Sequence, residues 1–377
     1  MGRDLAVPPM KVGFNYAWSH NLYGQNFGPV FFPPPAAGLP MWKGTLPGHL
    51  LEFKRMGLSV IRWFILMNGL TYGRNLVVNS AGKIEDIELP VDKSLPIPTH
   101  EVWEFNPPDA LHPLFVEHFT LMLKMFKDSN TGLQVIPSFV DFPFFAVPPG
   151  RKRNAGGGRQ DVAIDPVKRK KFFDTVLEPL LRASVPFKDQ IFAWEVINEP
   201  SWLIRVGAPL GPINNDSRMT KDILKTFIQE ALERIEAHPE FAQKSTVGHR
   251  FISDMDNLPT GKIRQFHYYA KTIVADDPSV IPDHKDTNAF VGEFSPEFNG
   301  NLADRIRSDP GASWPEMNDR DRPAEHTVTR RLQVLSDKNY TLAMVWPNLG
   351  GDADNHIKLD AVAQGSLERY TGTFFIR

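Results

Sequence analysis

Two glutamates sit at the C-terminal ends of apolar runs. They are Glu199 in Phe-Ala-Trp-Glu-Val-Ile-Asn-Glu-Pro (192–200) and Glu293 in Ala-Phe-Val-Gly-Glu-Phe (289–294). Desolvating a carboxylate is costly, so a carboxylate placed where a buried strand emerges points to chemistry more than to packing. A pair of them has the residue types needed for glycosidic bond cleavage, in which one carboxyl protonates the leaving oxygen and the other attacks the anomeric carbon. Each motif also has a plainer reading. Asn-Glu-Pro alone reads equally well as a helix-starting turn with Pro at the first helical position and a solvated glutamate. Arg62, within an apolar run, needs an anionic partner, and the candidates are Glu293 or an internal ion pair with Glu195. Glu195 lies four positions before Glu199, so on a strand it points the same way but deeper, and it is expected to be structural.

Carboxylates on separate runs must be brought together by elements that recur along the chain. Short apolar runs predict strands at Lys11–Ala17, Ser59–Met67, Leu133–Asp141, Ile191–Asn198, Gly248–Ser253, Ile263–Tyr268, Ala289–Gly292 and Leu342–Trp346. Apolar residues recurring at three and four predict helices at Leu46–Met56, Pro113–Lys127, Pro166–Ala183, Thr220–Ala237 and Glu325–Ser336. The helix near Asp254–Pro259 is poorly expressed. Strand followed by helix around eight strands predicts an α/β chain folded as a (β/α)8 barrel. No internal repeat or low-complexity linker divides residues 1–377, so a single catalytic domain is expected. The long segments Trp18–Lys43 and Asn68–His112 follow the first two strands, where a barrel builds its active site. Gly150–Gln160 is expected to be a mobile, solvated loop; it lacks the Gly-Lys-Ser/Thr ending of a phosphate loop.

Composition narrows the partners. The 377 residues carry a net charge of −2, with 42 basic and 44 acidic residues, and 42% are hydrophobic. Such a chain buries a large core and has no long-range field to draw nucleic acid or anionic membrane, so neither is expected as a partner and a neutral partner fits better. No apolar run is long enough to span a bilayer, and the N-terminus lacks a secretory pattern, which predicts a cytoplasmic protein unless a signal has been removed. Absence of cysteine excludes disulfides, thiolate ligands and a cysteine nucleophile. The histidines lack His-Glu-x-x-His spacing, and the Asp352/Asp354/Asn355 cluster lacks the glycine and terminal glutamate of a calcium loop. No metal and no cofactor are expected.

The Trp-Glu-Val-Ile-Asn-Glu-Pro and Gly-Glu-Phe runs, with Arg62 on the second strand, His267-Tyr268-Tyr269 after the sixth and Trp346 ending the eighth, resemble clan A glycoside hydrolases. The nearest likeness is to family 5, which includes cellulases and mannanases. The resemblance implies a retaining β-glycosidase with Glu199 as acid/base and Glu293 as nucleophile. It also implies Asn198 on the sugar 2-hydroxyl, Arg62 and Tyr269 holding the nucleophile, His267 lining the site and Trp346 beneath the reacting ring. Trp18 and Trp202 are further aromatic candidates for sugar stacking. The chemistry asks for a cation beside Glu293 and none beside Glu199, so that one carboxyl stays ionised and the other protonated. One departure from the family stands at Pro143, where a histidine is usual. Asp141 is the candidate to take over its hydroxyl contact, or else it caps the following turn. A transglycosylase of the same fold and a non-catalytic carbohydrate-binding barrel are the alternatives.

Overall fold

The structure is a computed structural model that describes residues 10–17, 24, 26–28, 40–67, 69, 72, 76–78, 84–87, 110–145, 157–204, 219–268, 288–294 and 328–346. The strands are β1 (Lys11–Asn15), β2 (Val60–Phe64), β3 (Leu76–Val78), β4 (Ile84–Ile87), β5 (Gln134–Asp141), β6 (Trp194–Asn198), β7 (Ser245–Gly248), β8 (Arg264–Tyr268), β9 (Ala289–Phe294) and β10 (Leu342–Val345). The helices are α1 (Leu46–Arg55), α2 (Pro113–Asp128), α3 (Gln160–Ile164), α4 (Pro166–Phe172), α5 (Glu178–Ser184), α6 (Lys221–Glu236) and α7 (Val328–Asp337). β3 and β4 form an antiparallel hairpin in the connection after β2. The other eight described strands form one parallel sheet in the order β7-β6-β5-β2-β1-β10-β9-β8. Its two ends meet: Ile263 N donates to Ser245 O at 2.9 Å and His267 N to His249 O at 2.8 Å, so the sheet closes on itself as a (β/α)8 barrel.

Period-two alternation stacks two layers inside the barrel. Val60, Ile136, Ala193, Ile263, Phe290, Leu342 and Met344 form an apolar plug with Phe192 packed against it. Two residues further along four of these strands, the inward positions become Arg62, Ser138, Glu195 and Gln265, all fully buried. Two residues after Phe290 comes Gly292, where a Cβ would meet Gln265 Nε2 at 2.2 Å, so only glycine leaves room for that amide. The switch from apolar floor to polar layer occurs on the way to the C-terminal mouth. Burying these polar groups is tolerable only because they bond to one another.

The helices coat the outside. α2 buries Phe115, Phe119, Met122, Leu123 and Phe126, and α6 buries Leu224, Phe227, Ile228, Ala231, Leu232 and Ile235, spacings that keep one face toward the sheet. Thr220 starts α6 by accepting from Ile223 N at 3.2 Å. The long helix expected over Pro166–Ala183 is broken by a π segment at Phe173–Leu177. Pro179 has no N–H to offer the Thr175 carbonyl, which accepts from Leu111 N at 3.4 Å instead.

Two expectations need correction. The fifth barrel strand runs over Ser245–Gly248, earlier than expected, and Ile252–Asp256 forms a 3-10 turn with Asp254 bonded back to Phe251 N. The end of the segment expected to be a solvated loop is buried: Gly157–Gln160 are covered, and Arg159 pairs with Asp161 at 3.0 Å while also donating to the Tyr72 hydroxyl. Among the described residues no helix is long and apolar enough to cross a membrane.

Candidate active site

Arg62 is the hub of the polar layer. It is fully buried, and its five guanidinium hydrogens are all engaged. Nε and Nη2 grip the two oxygens of Glu195 at 2.7 and 2.6 Å; Nη1 donates to Glu293 Oε1 at 2.5 Å and Asn15 Oδ1 at 2.8 Å; Nη2 also donates to Asn198 Oδ1 at 2.7 Å. Both anionic partners considered for Arg62 in the sequence are therefore present together. Burial works against the guanidinium charge, but attraction and hydrogen bonds from Glu195 and Glu293 outweigh it and raise its pKa above the ordinary value. Glu195 also accepts from Ser138 Oγ at 2.6 Å and Gln265 Nε2 at 2.8 Å. Burial pushes its carboxyl up, yet Arg62, the Ser138 hydrogen bond and His267 bring it below its ordinary value. Gly248 lies close beside this cluster: a Cβ there would come within 3.1 Å of Glu195 Oε1, so the carboxylate would have to give by a few tenths of an ångström.

Glu293 lies inside β9, which extends past the expected end at Gly292 to Phe294. Glu199 follows β6 in a left-handed conformation, φ 45° and ψ 51°, a strained geometry for a non-glycine residue. Its N–H bonds to Gly248 O at 2.7 Å, and Pro200 then opens a 3-10 turn, Pro200–Leu203. The helix-starting reading of Asn-Glu-Pro thus describes the local backbone. Glu199 nevertheless makes no capping bond with its side chain. Its carboxylate turns inward, with Oε1 2.9 Å from His267 Nδ1 and Oε2 accepting from Trp202 Nε1 at 2.7 Å. His267 Nδ1 is also 3.4 Å from Glu293 Oε2. The registers of β6/β7 and β8/β9 shift at these residues, between Glu195 and Asn198 and between Phe266 and His267. Irregular pairing of this kind re-aims side chains at a barrel rim.

Glu199, His267 and Glu293 each offer one ligand atom, and all three atoms lie within 4.8 Å of one another. A divalent ion could be held by this set, but it would sit beside the Arg62 guanidinium already bound to Glu293, whose charge opposes it.

Among the described residues no Lys or Arg pairs with Glu199, but Arg250 is near enough to act on it through space. The Arg250 guanidinium carbon lies 3.5 Å over the Trp202 ring. Burial raises the Glu199 pKa, but His267, Trp202 and Arg250 together bring it below the usual carboxylate value. Trp202 offers Glu199 its indole N–H, carries Arg250 on its ring, and packs against Phe142 at 5.9 Å. Asp141 is fully buried, accepting from Phe142 N at 2.7 Å and from Asn198 Nδ2 at 2.9 Å. It caps the 3-10 turn at Phe142–Phe144, where Pro143 stands, and orients Asn198. Trp346 is half-buried just past β10, edge-on to Phe64 at 6.1 Å, and Phe64 lies under the Arg62 guanidinium at 4.7 Å. Trp18 and Tyr269 lie outside the described residues.

The sequence reading missed Asn15, Ser138, Gln265, His249 and Arg250. Asn15 and Ser138 carried a signal, a polar residue within a largely apolar strand, whereas Gln265 does not stand out in the mixed run Arg-Gln-Phe-His-Tyr. Asn15 Nδ2 ties the first strand to its neighbours through Gly292 O at 3.0 Å and Val345 O at 3.2 Å. His249 is fully buried beside the polar layer, and burial depresses its pKa from 6.5 to about 4. Nothing in the sequence marks His249 or Arg250, because both follow β7, whose position was misread.

No protein-family model matches the chain, and no curated protein sequence matches it. Solved structures do. An endo-1,4-beta-mannanase from Eisenia fetida superposes with a TM-score of 0.58 at 16% identity, covering 98% of this chain and 92% of that one. The beta-1,4-mannanase of the common sea hare Aplysia kurodai gives 0.57 at 14% identity, over 96% and 92%. A glycoside hydrolase family 5 enzyme from Prevotella bryantii B14 gives 0.53 at 13% identity, over 99% and 98%. The chain has the (β/α)8 fold of these two mannanases and of this glycoside hydrolase family 5 enzyme.

Proposed function

We propose that this protein is a retaining β-glycoside hydrolase acting on a β-linked glucan or mannan, with Glu293 as nucleophile and Glu199 as acid/base, in a single barrel domain. The observation that carries the reading is the carboxylate pair. One oxygen of Glu199 and one of Glu293 lie within 4.8 Å of each other, an approach that favours the roughly 5 Å spacing of a covalent glycosyl intermediate over the ~6.5 Å or more needed to seat a water between them. The two are also unequal: Glu293 holds Arg62 and Glu199 does not.

In the first step Glu293 attacks the anomeric carbon as Glu199 gives its proton to the departing oxygen. In the second, Glu199 removes a proton from the water that releases the sugar. Arg62 keeps Glu293 anionic while Glu195, held by its own donors, balances the remaining charge. His267, Trp202 and Arg250 hold Glu199 on the ionised side, so its work as an acid depends on substrate. A sugar that excludes water deepens the desolvation of Glu199 and draws its proton-bearing form upward. His267 Nδ1, 2.9 Å from Glu199 Oε1 and 3.4 Å from Glu293 Oε2, fixes the two carboxylates relative to each other. Asn198, fixed by Arg62 and Asp141, is the 2-hydroxyl partner, and Trp346 is the platform. The glucan or mannan backbone is supported by the shared fold of mannanases and endoglucanases.

Incubation with activated 2-deoxy-2-fluoro glycosides of glucose, mannose, galactose and xylose, followed by peptide mass spectrometry, tests the assignment. An adduct on Glu293 is expected. An adduct elsewhere, or inverted product from a turned-over substrate, would overturn it.

A further inference from the structure

The polar layer is saturated, whereas the other side of Glu199 holds a cation with nothing to bind. Arg250 is half-buried and lies 3.5 Å over the Trp202 ring and 4.6 Å from the centre of Phe251, which is 51% exposed. The guanidinium makes no hydrogen bond or ion pair with any described residue, in contrast to Arg62, Arg159 and Arg169, each of which has a carboxylate. Stacking on an aromatic face uses the flat side of a guanidinium and leaves its in-plane hydrogens directed outward, the arrangement that receives an oxyanion. Glu199 divides the site: Oε1 faces His267 and Glu293, and Oε2 faces Trp202, on which Arg250 rests. A leaving group must lie on the acid/base side of the cleaved bond.

Resting on the glycosidase reading, we propose that Arg250 makes the leaving-group side of the site selective for an acidic sugar, one whose carboxylate or sulfate ester is gripped by the guanidinium while Phe251 offers its exposed ring to the sugar face. The charge of Arg250 favours the ionised form of Glu199 and lowers its pKa, which works against proton donation. An anion bound to Arg250 would cancel that pull. A substrate with the matching charge is therefore favoured both in binding and in protonation of its leaving oxygen.

The test uses the full chain with three β-linked oligosaccharides of one backbone and length: neutral, oxidised at C6 to a uronate on the leaving-group side, and sulfated at the same place. A kcat/KM preference of about 10-fold or more for the uronate or the sulfate over the neutral sugar is expected, and the favoured anion identifies the source. Arg250→Gln should collapse that ratio, and Arg250→Lys should retain part of it. Equal rates on all three, or a ratio untouched in Arg250→Gln, would overturn the proposal. Calorimetric binding of the same sugars to Glu293→Ala separates the two readings. If the native protein hydrolyses none of them, yet binds an anionic one in an Arg250-dependent, salt-sensitive way, the hydrolase reading falls and the acidic-sugar site stands.

Discussion

The two flanks of the carboxylate pair are built oppositely. On the Glu293 side every guanidinium hydrogen of Arg62 is used, Glu195 is held by three side chains, and the cluster is closed to solvent. On the Glu199 side the carboxylate is reached by solvent, its backbone is strained, and the nearby Arg250 stacks without an ion pair among the described residues. On the proposed reading the difference follows from what each carboxyl must do. A nucleophile that stays anionic is best fixed by saturation, while a group that gains and loses a proton must be held loosely enough for substrate to change its environment.

Removing the two carboxyls separately is the strongest way to break the contrast. Glu293→Ala should cut turnover by about 10⁴-fold or more, whatever the leaving group. Glu199→Ala should cost about 10²- to 10⁴-fold with a poor leaving group and far less with a dinitrophenyl glycoside, which departs without a proton. Equal losses for the two variants on both substrates would remove the asymmetry.

The saturated flank should respond in stability as well as in rate. Glu195→Ala strands the Arg62 charge and should destabilise the fold by about 3–5 kcal/mol in urea unfolding. A loss below ~1 kcal/mol would mean the layer is not held by that pair.

His249 adds a pH term on the same flank. Its folded pKa, about 4, lies below the 6.5 of the exposed group because burial opposes charging. Between these values the unfolded chain binds the extra proton, so stability is full above about 6.5 and falls as pH drops toward 4. The span amounts to about 3 kcal/mol. In His249→Gln the urea midpoint should lose this slope; an unchanged slope would assign it to groups other than His249, and not to Glu195, whose depressed carboxyl acts only below 4.5.

The smallest effect belongs to the open flank. Trp202→Phe removes one hydrogen bond that favours ionised Glu199. The alkaline limb of kcat/KM, where the acid loses its proton, should then move to higher pH. Movement in the other direction would reverse the role given to Trp202.

Much of the barrel could be read in advance because burial on a strand or helix imposes a local period. β2, β5, β8 and β10 lie within their expected spans, and α1, α2 and α6 match theirs to within a residue or two. The misread strand shows where this ends. Ser-Thr-Val-Gly (245–248) is short, half polar and followed by a 3-10 turn, so no period outweighs its neighbours. That single slip concealed His249 and Arg250. Glu195 was placed correctly by alternation, but its partners Ser138 and Gln265 come from other strands, and pairing across a barrel has no trace in sequence spacing.

The sequence by itself determined which groups exist to do chemistry, and on which kind of element, because desolvation makes an ionisable residue in an apolar run conspicuous and a strand's period sets its side. Tertiary structure alone decided their electrostatic company. Closing the barrel brought one arginine within reach of two carboxylates and left another stacked on an indole, and over a few ångströms in a dry interior that placement governs which proton stays and which one moves.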